Sequence, residues 1–226
     1  RSIAHADSGR LPLVSSYKDG GLSESMPSAP RELKGNVVID PVWTIQPSSK
    51  DAPIISGDPN GNYGGSTSIQ AAWRQAITTN RSLAEFAITW GVDIPAGAGI
   101  TAAELDLYYY AFSFNNPVGR TVQCFRMLRT NWVEAQATWN IFMAANNWTT
   151  AGCSSDGNDY TSTDVATVNV PVAFGWMVWN VLNQVRTAQT NNSNLEFLLK
   201  WQDESGAPQY DVLWYSKEGT PGDTTL

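Results

Sequence analysis

Several short segments of this chain alternate apolar and polar residues, which is the pattern of β-strands with one buried face. In the clearest of them, residues 103–112, Asp106, Tyr108 and Tyr110 share one face and apolar side chains occupy the other. Alternating or β-branched residues predict further strands at 36–39, 42–45, 52–56, 68–73, 83–90, 120–128, 193–201 and 210–215. Gly-, Asn- and Pro-rich turns separate these segments, which is typical of an all-β protein.

One segment follows a helical period instead. Between residues 175 and 189, apolar side chains recur at i, i+3, i+4 and i+7, namely at Val178, Val181, Leu182 and Val185. This spacing predicts a short amphipathic helix. The predicted fold is an all-β, two-sheet, jelly-roll-like β-sandwich with one short helix and an extended N-terminal arm. The arm is predicted to cover residues 1–35 and the sandwich residues 36–226.

The N-terminal arm is rich in Ser, Gly and Pro and lacks a sustained period of 2 or 3.6 residues. A segment of this composition is expected to be disordered when it is alone. Two hypotheses for what holds it in place stay open: a neighbouring subunit, or the arm's own domain. Apolar residues of the arm and of the two strands after it are the candidate partner-binding residues: Leu11, Leu13, Val14, Tyr17, Val37, Ile39 and Trp43.

The charge of the chain limits its partners. Only 15% of its 226 residues are charged, and the formal net charge is −7. Lys and Arg are scattered, so the basic patch that nucleic-acid phosphates require is missing from the sequence. We therefore expect neutral molecules or other proteins as partners, and no nucleic acid. No stretch of 18 apolar residues occurs, so the sequence predicts no membrane span.

The two cysteines, Cys124 and Cys153, leave two alternatives open. In an oxidising compartment they could form one disulfide, which would close a loop of about 30 residues and contribute roughly 3 kcal/mol. Alternatively, both are buried free thiols. The chain has a single histidine, His5, so neither alternative provides a standard zinc site.

Three tryptophans, Trp132, Trp139 and Trp148, are concentrated in residues 130–148. The first two belong to a run that reads Trp-x-Glu-x-x-x-Thr-Trp-Asn. This segment is too polar and irregular for a helix. It therefore predicts a loop that aromatic side chains anchor between strands of a sandwich.

Other short motifs accompany this run in a fixed order. They are Asn-Tyr-Gly-Gly-Ser at 62–66, Arg81 with Leu83 and Phe86, Ile-Pro-Ala-Gly at 94–97 before 103–108, the segment 178–185, Leu-Glu-Phe-Leu-Leu at 195–199 and Tyr-Ser-Lys-Glu at 215–218. With them, the chain from about residue 52 to residue 218 resembles the DNRLRE family of extracellular β-sandwich modules. That family is related to some carbohydrate-binding modules. The resemblance implies a non-catalytic domain of a secreted or surface protein.

The chain departs from the family pattern in two respects. In the family, the Ser-x-Glu segment is normally followed by a closing strand of alternating apolar residues, whereas residues 219–226 lack one. An incomplete sheet exposes an edge that can pair with another strand. We expect either residues 36–45 of this chain or a strand of a partner to fill that edge. The arm is the second departure, because a simple sugar-binding module does not need one.

A calcium loop is a weak candidate at residues 58–62. Asp58, Asn60 and Asn62 have the oxygen spacing with which such a loop begins. However, Tyr63 stands where the loop requires glycine, and no bidentate Glu follows at the required distance. A plain turn is therefore favoured over a calcium site, and no cofactor is expected.

Aromatic side chains provide the candidate ligand site. Flat rings suit pyranose sugars, so Tyr108, Tyr110 and Trp132 are the candidate glycan-binding residues. For the tryptophans, a role as a structural anchor of the core or of a loop is the alternative interpretation.

The sequence favours binding over catalysis. Carboxylates that could form an acid–base pair are Glu85, Glu104, Asp106 and Glu134. No cluster of Lys, Arg and Tyr that would support them can be recognised in the sequence, and it contains no Gly-x-Ser-x-Gly motif, no phosphate loop and no Cys–His pair. We therefore expect no enzymatic activity.

Together these features predict a structural or adhesive protein of an extracellular or virion surface. It would be one component of a larger outer assembly, such as a phage capsid decoration or fibre protein. Its arm and strand edges would contact protein neighbours, with a homo-oligomer among the alternatives and glycan as a further ligand. The alternative function is a carbohydrate-binding module of a secreted polysaccharide-degrading enzyme.

Overall fold

The computed structural model describes residues 42–74, 78–205 and 208–219 with their side chains, together with the backbone of five strands before residue 41 and of one strand at 224–225. The chain forms two compact units, Arg1–Thr44 and Ile45–Leu226. Among the described residues, no helix has the length and apolar character needed to cross a bilayer.

The first unit contains short antiparallel strands. They are β1 (Ile3–Ala6), β2 (Gly9–Pro12), β3 (Val14–Lys18), β4 (Gly21–Ser25) and β5 (Val38–Asp40). β1 pairs with both β2 and β5, and β3 pairs with β4. The sequence did not predict these ladders in the arm. Because β5 pairs with β1, residues 38–40 belong to the first unit and are not the strand that completes the sandwich.

The candidate partner-binding residues of the arm fall in this unit. Leu11, Val14, Tyr17 and Ile39 lie on β2, β3 and β5, but their side chains are outside the described residues. Leu13 and Val37 are outside the described residues altogether. Trp43 is described, and 38% of it is exposed.

The second unit contains most of the secondary structure. Its elements are β6 (Lys50–Ile55), β7 (Ser68–Arg74), β8 (Thr78–Phe86), β9 (Glu104–Ala111), β10 (Thr121–Met127), β11 (Ile141–Met143), β12 (Asn146–Asn147), β13 (Tyr160–Asn169), β14 (Gly175–Asn180), α1 (Leu182–Asn191), β15 (Leu195–Trp201), β16 (Tyr210–Tyr215) and β17 (Thr224–Thr225). Seven of these strands match segments that the alternation predicted. β13 and β14 were not predicted as strands.

The strands of this unit form an antiparallel ladder in the order β13-β10-β15-β8-β7-β16-β9-β14, with β6 beside β8 and β17 beside β9. β7 and β8 pair only at their adjoining ends, where Ala72 lies opposite Asn80 and Arg74 opposite Thr78. The sheet therefore divides here into two layers that pack face to face. The first layer consists of β6, β8, β15, β10 and β13, and the second layer of β7, β16, β9, β14 and β17. This arrangement is the predicted all-β sandwich.

The inner core lies between the two layers. The first layer contributes Phe86 and Phe197, whose rings are 6.2 Å apart, and the second contributes Trp179 and Trp214, whose rings are 5.9 Å apart. All four side chains are fully buried. Since burying one large apolar side chain contributes roughly 1.5–3 kcal/mol, this core accounts for much of the stability of the unit.

The outer face of the first layer is also covered. Residues 128–159, here called the Trp segment, cross this face and contain β11 and β12. Trp132, Phe142 and Trp148 of the segment pack in one cluster with Ile54 and Leu198 of the layer. The first layer is therefore buried on both faces, and the prediction of an aromatic-anchored loop is confirmed by these contacts.

The helix was predicted to begin at residue 175, which is seven residues before the observed start of α1 at Leu182. Residues 175–180 form β14, in which Met177 and Trp179 are buried while their neighbours are exposed. This period-two burial overrides the helical spacing that began at Val178. The helix α1 follows at Leu182–Asn191 and ends at Asn192, whose left-handed backbone (φ 52°) returns its N–H to the last carbonyls of the helix.

The last described strand is short. β17 places Thr224 opposite Leu107 and Thr225 opposite Asp106 of β9. It occupies the side of β9 on which β16 pairs further along, at Tyr109 and Ala111. Residues 219–226, in which the sequence predicted no closing strand, therefore contain a strand of two residues.

The two cysteines are free and buried. Cys124 belongs to the inner core and Cys153 to the cluster on the opposite face of the first layer. Of the two alternatives, the structure shows two free thiols. Burial raises the pKa of both thiols far above the ordinary value, so neither is a nucleophile in the folded protein.

Thiol titration checks this assignment. In the native protein we expect Cys124 and Cys153 to be unreactive toward a thiol reagent, because both are buried and protonated. Unfolding in denaturant without reductant should expose both as reactive thiols. An absence of reactive thiol under those conditions would show that a disulfide had formed and would contradict the structure.

Candidate functional site

Two of the sequence motifs, Trp-x-Glu at 132–134 and Ser-x-Glu at 216–218, meet at the start of β6. The Glu134 Oε1 accepts a hydrogen bond from the Asp51 N–H at 2.8 Å and lies 2.9 Å from Lys217 Nζ. Lys217 also contacts the Glu218 carboxylate at 2.5 Å, and its N–H donates to Asp51 Oδ2. Lys217 thus joins the Trp-x-Glu and Ser-x-Glu motifs, which are far apart in the sequence but adjacent in the fold.

The Asn-Tyr-Gly-Gly-Ser motif completes this junction. The Asn62 amide donates to the carbonyl oxygens of Glu134 and Ala137 at 2.7 and 2.8 Å. At Gly64, a Cβ atom would lie 2.4 Å from the Glu134 carbonyl oxygen. Only glycine permits this approach of two backbones. These motif residues therefore fix the Trp segment to the first layer.

Arg81 has a similar role at the far end of the Trp segment. Its guanidinium pairs with Glu204 at 2.6 Å, donates to the Gly152 carbonyl and stacks over the Trp139 ring at 5.1 Å. The side chain is buried, so the bidentate pair and the stacking replace the hydration that arginine loses.

Three carboxylates of the junction are close enough to hold a cation. Oxygen atoms of Asp51, Glu134 and Glu218 lie within 4.8 Å of one another. The Lys217 ammonium already contacts two of the three. Burial alone would lower the pKa of Lys217, but Glu218 and Glu134 raise it above its ordinary value, so the ammonium supplies the positive charge of the cluster.

Asp51 is almost completely buried. Burial raises its pKa to about 6, although hydrogen bonds from Ser48 and from the Lys217 N–H favour the charged form. A carboxyl group in this position serves to join strands rather than to meet solvent.

A second group of charged residues, distinct from the junction, lies on the outer face of the first layer beside Trp132. Lys50, Glu85 and Glu196 are directly paired across β6, β8 and β15. Lys50 Nζ lies 2.5 Å from Glu85 and 4.6 Å from the centre of the Trp132 ring system. Burial first, and the Glu85 carboxylate second, raise the pKa of Glu196 to about 8.

We expect Lys217→Met to destabilise the protein by roughly 1–3 kcal/mol, because it leaves Glu134 and Glu218 without their partner. Urea unfolding of both proteins at one pH measures this change. Lys217→Arg keeps the charge and should recover most of the stability. Equal stability of the native and Lys217→Met proteins would show that the junction contributes nothing.

The raised pKa of Glu196 predicts a pH dependence. Folding favours its protonated form, so its contribution to stability is complete below its unfolded pKa of 4.5 and is lost as the pH rises to about 8. Glu196→Gln stays neutral, so its stability relative to the native protein should increase over this window by on the order of 1–3 kcal/mol. Denaturant unfolding across the window tests this, with Asp164→Asn as an exposed control. A pH-independent difference would contradict the assignment.

The weak calcium candidates hold a turn together. Asp58 accepts a hydrogen bond from the Tyr63 hydroxyl at 2.7 Å, and Asn60 Oδ1 accepts one from the Asn140 amide at 2.9 Å. Asn62 binds the Trp segment, as described above. Their polar side chains are therefore engaged with the fold itself.

Trp132 is not available for a ligand. It is 1% exposed and packs in the cluster beneath the Trp segment. Its prediction as a glycan-binding residue is therefore corrected, and the structural interpretation applies. The sequence did not show which surface of the loop this indole would face.

Tyr108 and Tyr110 lie together on the outer face of the second layer. Tyr215 of β16 stacks on Tyr110 with ring centres 4.2 Å apart and lies 6.0 Å from Tyr108. Trp176 of β14 meets Tyr108 edge to face at 5.3 Å. Because the tyrosine rings stack on one another, they use some of their faces internally, whereas Trp176 is 48% exposed.

An apolar stripe continues from Trp176 along the same strand and the loop before it. Alternate residues Val172, Phe174, Trp176 and Val178 are 88%, 55%, 48% and 39% exposed. Phe174 contacts Phe112 and, edge to face at 5.0 Å, the ring of Tyr109, which is buried in the inner core. We call this stripe, together with Tyr108, Tyr110 and Tyr215, the aromatic face. Sequence reasoning missed Trp176 because it assigned residues 175–189 to a helix, and it singled out no feature at Phe174.

The four candidate catalytic carboxylates are divided between two places. Glu85 and Glu134 belong to the charged contacts of the first layer. Glu104 and Asp106 lie on β9, on the side of the aromatic face. Burial, with Glu104 as a second cause, raises the pKa of Asp106.

No protein-family model and no curated protein matches this chain. The fold and the surface therefore define its class: a β-sandwich with a second unit of short strands and an exposed aromatic face.

Proposed function

We propose that this protein is a non-catalytic structural and adhesive protein of an extracellular or virion surface. It is one component of a larger outer assembly, such as a phage capsid decoration or fibre protein. The observation that carries the proposal is the aromatic face. The kinship with the DNRLRE modules, proposed from the sequence motifs, agrees with a binding role.

The energetic argument concerns exposed apolar area. Val172, Phe174, Trp176 and Val178 are large apolar side chains with 39–88% of their surface in contact with water. Contiguous apolar patches of this kind mark interaction surfaces in soluble proteins. Each square ångström that a partner covers contributes roughly 25 cal/mol, so burial of the stripe favours association.

The position of the stripe adds backbone contacts to this surface. β14 is the last strand of the ladder on its side, and β9 is its ladder partner. An end strand can pair with a strand of a neighbouring molecule. Protein neighbours, including further copies of this chain, are therefore the proposed partners, and the strands of the first unit offer additional edges.

A carbohydrate-binding module of a secreted polysaccharide-degrading enzyme is the second candidate function. The exposed Trp176 ring favours it, together with the adjacent hydroxyl groups of Tyr108 and Tyr110. An open indole face with nearby hydroxyls suits a neutral glycan. If the protein is such a module, the aromatic face is the surface that binds the polysaccharide.

The mass of the full chain in solution, measured by light scattering over a wide range of concentrations, tests the assembly. We expect the native protein to self-associate and a Phe174→Ser/Trp176→Ser variant to remain monomeric, because the variant removes the centre of the stripe. Val118→Ser/Val133→Ser changes two comparably exposed apolar residues outside the stripe and serves as the matched control.

Two results would contradict self-assembly through the aromatic face. One is a native protein that stays monomeric at every concentration; the other is equal association of both variants. A monomer whose binding to neutral polysaccharides depends on Trp176 would establish the second candidate instead.

A further inference from the structure

A cavity of about 380 Å³ lies at one end of the sandwich. It forms where β7 and β15 end and where β10 and β16 begin, so both layers contribute to its walls. The helix α1 packs beside the start of β15, at the opposite end of that strand. The volume falls in the lower part of the range of roughly 300–1,000 Å³ that is typical of small-molecule sites.

Aromatic rings form the walls of this cavity. Trp73 of β7 and Tyr210 of β16 are directly paired, and Trp201 lines the cavity from the first layer. Trp201 is only 3% exposed, and its Nε1–H has no hydrogen-bond partner among the described residues. Trp201 also belongs to the inner core, so a buried ring forms the cavity wall on this side.

Polar groups line the cavity beside these rings. The Arg120 guanidinium stacks over the Tyr210 ring at 4.0 Å and donates to its hydroxyl group at 2.5 Å. The exposed side chains of Gln202 and Asp203 lie on the same lining. The cavity therefore offers donors and acceptors, and its one Arg and one Asp give it no net charge.

We propose that this cavity binds a neutral sugar residue. Aromatic walls suit the C–H face of a sugar ring, and the polar groups match its hydroxyls. Asp203 and the net charge of −7 disfavour an anionic ligand, and Arg120 disfavours a cationic one. The sugar could be free or the terminal residue of a glycan. The residues that line this cavity differ from those of the aromatic face, and the proposal does not depend on the proposed assembly.

Titration of the full chain with neutral methyl pyranosides and with neutral oligosaccharides tests the proposal. Tryptophan fluorescence and calorimetry report binding, since Trp73 and Trp201 line the cavity. We expect at least one of these probes to bind and Arg120→Gln to weaken binding about tenfold. Arg186→Gln, an exposed arginine on α1, should bind as the native protein does. Methyl glycosides that bind as well as the oligosaccharides identify a free sugar, and tighter oligosaccharide binding identifies a chain end.

A second pair of variants separates this site from the aromatic face. Tyr210→Phe keeps the aromatic ring but removes the hydroxyl group that accepts from Arg120, and we expect weaker binding with a circular dichroism spectrum like that of the native protein. Trp176→Ser should leave binding at the cavity unchanged. The proposal is overturned if no neutral probe binds, if acidic sugars bind more tightly, or if Trp176→Ser abolishes binding while Arg120→Gln does not. None of these outcomes depends on whether the chain self-associates.

Discussion

The packing of the Trp segment on the first layer is the contact on which the other features depend. It buries Trp132 and Trp148 against β6, β8 and β15, and it brings Glu134 to the start of β6. Since the inner core covers the opposite face, the first layer has no broad face left for a partner in the described part of the chain. The outer face of the second layer is consequently the broad sheet face that stays open among the described residues.

Charge enters this arrangement through two lysines: Lys50 pairs with Glu85, and Lys217 pairs with Glu134 and Glu218. Asp51 and Glu196 are buried carboxyl groups beside these pairs, and burial raises the pKa of both. Such groups contribute little net stability, because desolvation offsets much of their attraction. They do impose a unique arrangement, since moving one partner leaves the other buried without compensation. We therefore interpret the order and spacing of the sequence motifs as a requirement for docking this loop.

The sequence predicted those parts of the fold that a local period determines. Residues 210–215 form β16 with the predicted ends, and the alternating residues 103–112 contain β9. The first unit also carried a usable local signal, because Asp-Gly separates Lys18 from Gly21 and that pair is typical of a two-residue hairpin. The helix was misplaced because the apolar spacing around Val178 fitted two periods, and only tertiary burial selects between them.

The site residues were harder to predict because they come from distant segments. Asp51 and Lys217 are hydrogen-bonded across 166 positions of the sequence, and no local pattern connects them. Tyr108 and Tyr110 were selected from alternation on β9, but Trp176 and Tyr215 join them only through the pairing of β14 and β16 with that strand. The end cavity likewise needs four strand ends to meet, which topology alone determines.

Hydrogen–deuterium exchange of the full chain at low and at high protein concentration tests the central claim most directly. The claim is that the aromatic face is a contact surface. The account predicts that amides of β14 and of the neighbouring part of β9 become protected as the concentration rises, while those of the Trp segment do not change. Protection confined to other surfaces, with unchanged exchange in β14, would contradict it.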